Sequence, residues 1–200
     1  MTGATGTIAG VFVGGRGMRM AGAGAAGGTG GVAKGLLTAP GGGTLLDRWR
    51  AVLGASGVEV VLVGRHEAYA SLGLEMVDDD PAGIGPLGGL VALLKRAGGG
   101  HALAFACDMP FVSEALVGRL LGAPTAAIVA PRRDGRWEPL CARYDAARVL
   151  PPALRRIAAK EHSLQRLLDE AGATALPIEP NDAHELHDWD APGDVRSGPG

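Results

Sequence analysis

The sequence predicts a mixed α/β fold, a three-layer α/β/α sandwich around a mostly parallel sheet. Apolar, often β-branched runs recur along the chain and alternate with segments of helical spacing. Most of those runs are apolar throughout, as strands covered on both faces are. The 200 residues, 46% hydrophobic, suffice for one such domain with a real core and are few for two. We therefore expect a single domain over 1–200, with a glycine-rich insertion at about 21–31 and a loose tail at about 196–200.

The first strand is Thr7-Ile8-Ala9-Gly10-Val11-Phe12-Val13, and it runs directly into Gly14-Gly15-Arg16-Gly17-Met18-Arg19-Met20. Sixteen of the 34 glycines precede residue 44, so the excess is local. Thr44 to Leu53 has helical spacing, with Thr44 as N-cap and Gly57 beyond its end. Val58 to Val63 is a second strand, His66 to Leu72 a weak helix, and Leu74 to Val77 a short strand ending at Asp78-Asp79-Asp80-Pro81. Gly85-Pro86-Leu87-Gly88-Gly89 opens a helix to about Ala97, with Pro86 suited to its first turn. His101 to Cys107 is a strand that ends in Asp108-Met109-Pro110, and a helix follows from Ser113 to Leu121. Strands are expected at Ala126–Ala130 and Glu138–Tyr144, then helices at Ala146–Ala159 and Ser163–Ala171. Ala173–Ile178 and Glu185–Trp189 are the last strand candidates.

Composition narrows the function classes. A net charge of -2 gives no reason to expect nucleic acid or a membrane surface as partner. No apolar stretch reaches the ~18–20 residues of a membrane span, and the N-terminus lacks the pattern of a signal peptide. Cys107 and Cys141 lie in apolar runs and read as buried thiols rather than a disulfide. A cytoplasmic protein fits these features.

In a parallel sheet, ligands collect at the C-terminal ends of the strands. The residues there are Gly14, Gly15, Gly17 and Arg19 after the first strand, Asp78 and Asp79 after the third, Asp108 after the next, and Asp188 and Asp190 after the last candidate. Glycines let backbone N–H groups face an anion, and Arg19 and Lys34 stand where phosphate charge needs neutralising. A basic glycine loop facing carboxylates suits a nucleotide held with a divalent metal. Two formal motifs fail on context. Gly22-Ala23-Gly24-Ala25-Ala26-Gly27 matches a dinucleotide fingerprint, but it follows no strand, and Asp47 falls inside a helical pattern. Lys34 lies between Ala33 and Gly35 and lacks the Walker context.

With strand-GG-x-G-x-R-M, a lysine, Gly85-Pro86-Leu87-Gly88-Gly89-Leu90 and Cys107-Asp108-Met109-Pro110 in this order, the chain resembles the molybdenum cofactor guanylyltransferases, Rossmann-like nucleotidyltransferases often called MobA. The likeness runs from about residue 7 to 195. It implies transfer of GMP from GTP to the molybdopterin cofactor, with release of pyrophosphate. It further implies nucleotide contacts from Val13, Gly14, Gly15, Gly17, Lys34, Asp78 or Asp79, and Asp108, with Arg19, Lys34 and Asp108 catalytic and Asp108 holding Mg²⁺. Arg136-Trp137-Glu138-Pro139-Leu140-Cys141 resembles the segment that helps receive the pterin, and Ser163 to Leu168 the helix after it. Gly85, Pro86, Leu87, Glu138, Pro139, Asp188 and Asp190 are the substrate-side residues on this likeness. Phe12-Val13 stands where the family has Leu-Ala, and roughly nine extra residues separate Met20 from Lys34. The paired asparagines near the family's C-terminus are Asp188 and Asp190 here, which resembles the related cytidylyltransferases. A cytidylyltransferase, a sugar-phosphate nucleotidyltransferase and a non-catalytic nucleotide-binding module are the alternatives. GTP and molybdopterin would be the partners, with transient contacts at most to other cofactor-biosynthesis proteins, in a monomer or weak oligomer.

Overall fold

The computed structural model describes residues 6–13 and 33–189. Its core is one sheet of eight strands: β1 (Thr7–Phe12), β2 (Glu59–Val63), β3 (Glu75–Val77), β4 (His101–Ala106), β5 (Ile128–Arg133), β6 (Arg136–Trp137), β7 (Cys141–Asp145) and β8 (Thr174–Leu176). They lie in the order β3-β2-β1-β4-β7-β5-β6, with β8 beside β5. Five helices cover it: α1 (Leu45–Gly54), α2 (Pro86–Arg96), α3 (Glu114–Leu121), α4 (Ala146–Ala158) and α5 (Leu164–Glu170).

The three layers follow from the strand period. In β1, Ile8 and Phe12 pack on the side of α2, α4 and α5, whereas Ala9 and Val11 pack with Trp49 and Leu53 of α1 and Leu116 and Val117 of α3. A strand buried on both faces has no room for alternation, which is why it reads as a continuous apolar run. β1 is parallel to both β2 and β4, and β2 to β3. The exceptions are β6, antiparallel to β5, and β7, antiparallel to both β4 and β5. The chain reverses at the Asp134-Gly135 turn after β5, and β6 and β7 then run in the same direction with a break at Glu138–Leu140, with no helix to carry the chain back for a parallel pairing.

Three sequence expectations need correction here. The strand expected over Glu138–Tyr144 begins only at Cys141, because Pro139 lacks an N–H and the Cys141 amide bonds back to Glu138 O at 3.1 Å. The strand over Glu185–Trp189 does not form. Pro180–Leu186 is a 3₁₀ helix instead, and the Trp189 amide donates to Asp108 O at 2.8 Å. The 66–72 helix is likewise a 3₁₀ turn over Glu67–Leu72. Thr44 caps α1 as expected, and Asp47 completes the capping box, a local role that removes it from any dinucleotide fingerprint. Both cysteines are free and buried, and burial pushes the Cys107 thiol up to about 12.

Two glycines set how closely α2 approaches the sheet. A Cβ on Gly89 would stand 2.8 Å from Val63 and 2.9 Å from Phe12. One on Gly88 would press into the Pro81 carbonyl oxygen, which is backbone and cannot swing aside. Gly88→Ala should therefore cost about 1–3 kcal/mol despite its better helix propensity. Gly118→Ala at an exposed position of α3, where a Cβ meets nothing within 4 Å, should stabilise by up to ~1 kcal/mol. Urea unfolding of the two variants checks the opposite signs, and equal shifts would contradict the packing argument.

Candidate active site

β1, β2, β3 and β4 end at one edge of the sheet, and β7 begins there because it runs the other way. The edge thus collects Val13, Asp78, Asp79, Asp108 and Glu138-Pro139-Leu140 from separate stretches of chain. Hydrogen bonds past the strand ends keep it rigid. The Val13 amide donates to Val63 O at 3.0 Å, Cys107 to Phe12 O at 3.1 Å and Ala106 to Leu140 O at 2.9 Å.

Asp108 sits just beyond β4, with its backbone held on both sides. The Trp49 indole N–H donates to Cys107 O at 3.2 Å, and the Trp189 amide to Asp108 O. Its carboxylate receives Lys34 Nζ at 2.6 Å, and the two side chains are only 17% and 20% exposed. Lys34 opens a 3₁₀ turn over Lys34–Leu36 whose position is fixed from behind. The Gly35 amide donates to Tyr69 Oη at 3.1 Å, and a Cβ on Gly35 would collide with Leu46 of α1 at 2.8 Å. Packing of Gly35 therefore delivers Lys34 to Asp108 across the glycine-rich stretch.

Beside Asp108 lies a pocket of about 180 Å³, lined by Ala106, Met109, Glu138, Leu140, Leu186 and Asp188 among others. Pro139 lines it as well. Burial lifts the Glu138 carboxyl above its ordinary range, against the opposing pull of Arg133. The hairpin that carries Glu138 is tied to α5. The Trp137 backbone N–H donates to Gln165 Oε1 at 3.0 Å, Gln165 Nε2 donates back to Trp137 O at 2.7 Å, and the Trp137 indole donates to Asp169 at 2.7 Å. The segment around Glu138 and the helix after Ser163 thus meet.

The other residues divide. Asp78 is exposed and held by Arg65 in a two-pronged ion pair at 2.7 and 2.9 Å. Asp79 turns inward, its Oδ1 near Gly89 at the start of α2. Burial first, and Asp78 second, raise its carboxyl above the ordinary range. Gly85, Pro86 and Leu87 open α2 on this Asp79 side and do not line the Asp108 pocket. The Leu87 side chain is fully buried in the core. Asp188 reaches the pocket from an irregular segment rather than a strand end. Gly14, Gly15, Gly17, Arg19 and Asp190 lie outside the described residues.

Arg133 was not legible as a site residue. The Asp134-Gly135 turn, with φ of 51° and 77°, is the signal that would have revealed its hairpin. Among the described residues no group of three or more His, Cys, Asp or Glu side chains could hold a metal, and no helix is long and apolar enough to cross a membrane. A lone carboxylate is nevertheless adequate for Mg²⁺, which keeps several waters and takes its remaining oxygens from phosphates. Asp108, part-buried at a rigid strand end, fits that donor set.

Residues 9–175 match the model of the MobA-like NTP transferase domain. The chain belongs to that family. It is a nucleotidyltransferase with a Rossmann-like α/β fold. The molybdenum cofactor guanylyltransferase of Pseudomonas putida is 32% identical over 188 residues, spanning 91% of this chain and 92% of the relative. The crystal structure of molybdopterin-guanine dinucleotide biosynthesis protein A from Archaeoglobus fulgidus superposes with a TM-score of 0.71 at 22% identity, covering 94% of each chain. A cytidylyltransferase acting on 2-C-methyl-D-erythritol 4-phosphate, from Thermus thermophilus, superposes at 0.63 with 19% identity, over 82% of this chain and 90% of its own. At such identities the two superpositions speak for the fold.

Proposed function

We propose that this chain transfers GMP from GTP to the molybdopterin cofactor and releases pyrophosphate. The observation that carries the reading is Lys34 on Asp108 at the end of β4, beside a pocket walled by Glu138 and Asp188. A cation and a hard-oxygen ligand in contact are what a triphosphate and its metal require at the reacting phosphorus. Identity to the Pseudomonas guanylyltransferase along nearly the whole chain supports the choice of base and acceptor.

In the reaction, the cofactor's terminal phosphate attacks the α-phosphorus of GTP in line, and the bond from that phosphorus to the bridging oxygen breaks. Such a transfer depends on positioning and charge rather than on covalent work by the protein. Lys34 turns its ammonium from Asp108 to the phosphates and neutralises charge on the departing pyrophosphate. Asp108 would hold Mg²⁺, which when bound would shield the phosphate oxygens from the carboxylate and draw charge from the phosphorus. The amides of Gly14, Gly15 and Gly17, with Val13 before them, cradle the phosphates, and Arg19 adds a second cation. Asp79 rather than Asp78 faces the nucleoside hydroxyls, since Asp78 is occupied by Arg65. Glu138, Pro139 and Asp188 receive the acceptor.

The test is transfer of a label from the α-phosphate of GTP or CTP to the acceptor. Transfer from GTP supports the reading. Transfer from CTP alone would reassign the base, and binding without transfer from either would leave a non-catalytic module.

A further inference from the structure

The wall of the pocket is held by a residue that none of the site chemistry above uses. Arg133 ends β5, and all three guanidinium nitrogens meet the pocket's surroundings. Nε lies 2.9 Å from Glu138 Oε1, and Nη1 donates to Leu186 O at 2.7 Å. Nη2 stands 3.6 Å from Asp188 Oδ1. The stretch 186–189 is thus fastened at one end by Arg133 and at the other by the bond from Trp189 to Asp108 O. It has no sheet or helix hydrogen bonds of its own beyond the 3₁₀ turn that ends at Leu186.

Charge gives the arrangement its consequence. Three carboxylates, Asp108, Glu138 and Asp188, line a pocket that an acceptor bearing a phosphate must enter. Lys34 offsets the first, and Arg133 offsets the other two. A planar fork can fix the orientation of two carboxylates and one carbonyl together, which a point charge cannot.

We propose that Arg133 is a positioning residue for the acceptor. It holds Glu138 and Asp188 as a neutralised wall of hydrogen-bond acceptors and straps residues 186–189 across the pocket. The wall then suits an acceptor that combines a phosphate with N–H or O–H donors on its body. This assignment rests on the transfer proposed above for its kinetic part alone. Substrate binding to the nucleotide half should not depend on Arg133, because Lys34 and Asp79 reach the site from other elements.

Arg133→Met and Arg133→Lys test it through two readouts. In steady-state transfer with GTP and molybdopterin, Arg133→Met should raise KM for the acceptor roughly 10- to 100-fold, the range for losing a partner that orients site ligands. The KM for GTP should stay within about twofold and kcat within about threefold, as for loss of binding shared by ground and transition states. Arg133→Lys should recover part of the acceptor affinity through its charge. Hydrogen–deuterium exchange on the substrate-free protein should show faster exchange at 187–189 in Arg133→Met, with β1 and β4 unchanged. An unchanged acceptor KM overturns the proposal, as does an equal rise for GTP. Unchanged exchange at 187–189 overturns the strap even if wild-type protein transfers nothing to molybdopterin, which would refute only the reaction.

Discussion

Asp108→Asn should lower nucleotidyl transfer by at least ~10²–10³-fold, the usual cost of removing one preorganised electrostatic group. Asparagine keeps the size of the side chain and one oxygen, so the strand end retains its bonds from Trp49 and Trp189, which run through backbone carbonyls. What disappears is the negative charge that pairs with Lys34 and is proposed to bind a hard cation. Stability should fall as well, by on the order of 1–3 kcal/mol, because a largely buried ammonium loses its carboxylate. Turnover must therefore be compared at a temperature where circular dichroism shows both proteins folded. A folded variant with undiminished turnover would remove Asp108 from the chemistry.

Lys34→Met should reduce kcat by about 10²-fold and weaken product inhibition by pyrophosphate, since the ammonium is proposed to act on the leaving group. Methionine fills the same channel with a flexible apolar chain, so the fold around Gly35 and Tyr69 should survive. The two sites act as one unit. The double variant Lys34→Met/Asp108→Asn should be far less impaired than the product of the two single losses, because each already removes the pair. Multiplicative losses would mean that the two residues serve separate functions and that the contact at 2.6 Å is incidental.

Much of this fold was legible because its strands are buried on both faces. Ile8 to Phe12 and Ala102 to Phe105 read as unbroken apolar runs, and the residue after such a strand is a natural ligand position. Asp108 was found on that ground. The last strand failed for a physical reason as well. In Glu185-Leu186-His187-Asp188-Trp189 the two apolar residues stand three apart, and Leu186 and Trp189 are buried from the end of a 3₁₀ turn and the irregular chain after it rather than by a sheet. So short a stretch carries no strict alternation that would mark a strand.

The contact from Lys34 to Asp108 was the least legible feature. Thirteen residues separate Met20 from Lys34, and nothing local says where the chain returns. Gly35 decides it, by a close approach to Leu46 and Tyr69 that only a residue without Cβ permits. Arg133 escaped for a related reason. Its partners come from two places in the sequence, Glu138 just past the Asp134-Gly135 hairpin turn and Leu186 and Asp188 some fifty residues later, and they meet only in the fold. The same reversal brings Glu138 to the edge where Asp108 waits. Parallel pairing throughout would have left the wall without that carboxylate.

The most direct measurement is to incubate the protein with Mg²⁺, molybdopterin and GTP labelled in the α-phosphate, and to follow the label. The expected result is one label joined to the pterin cofactor for each pyrophosphate released, abolished by Asp108→Asn. GTP bound at the site with no label in the cofactor would contradict the proposed reaction.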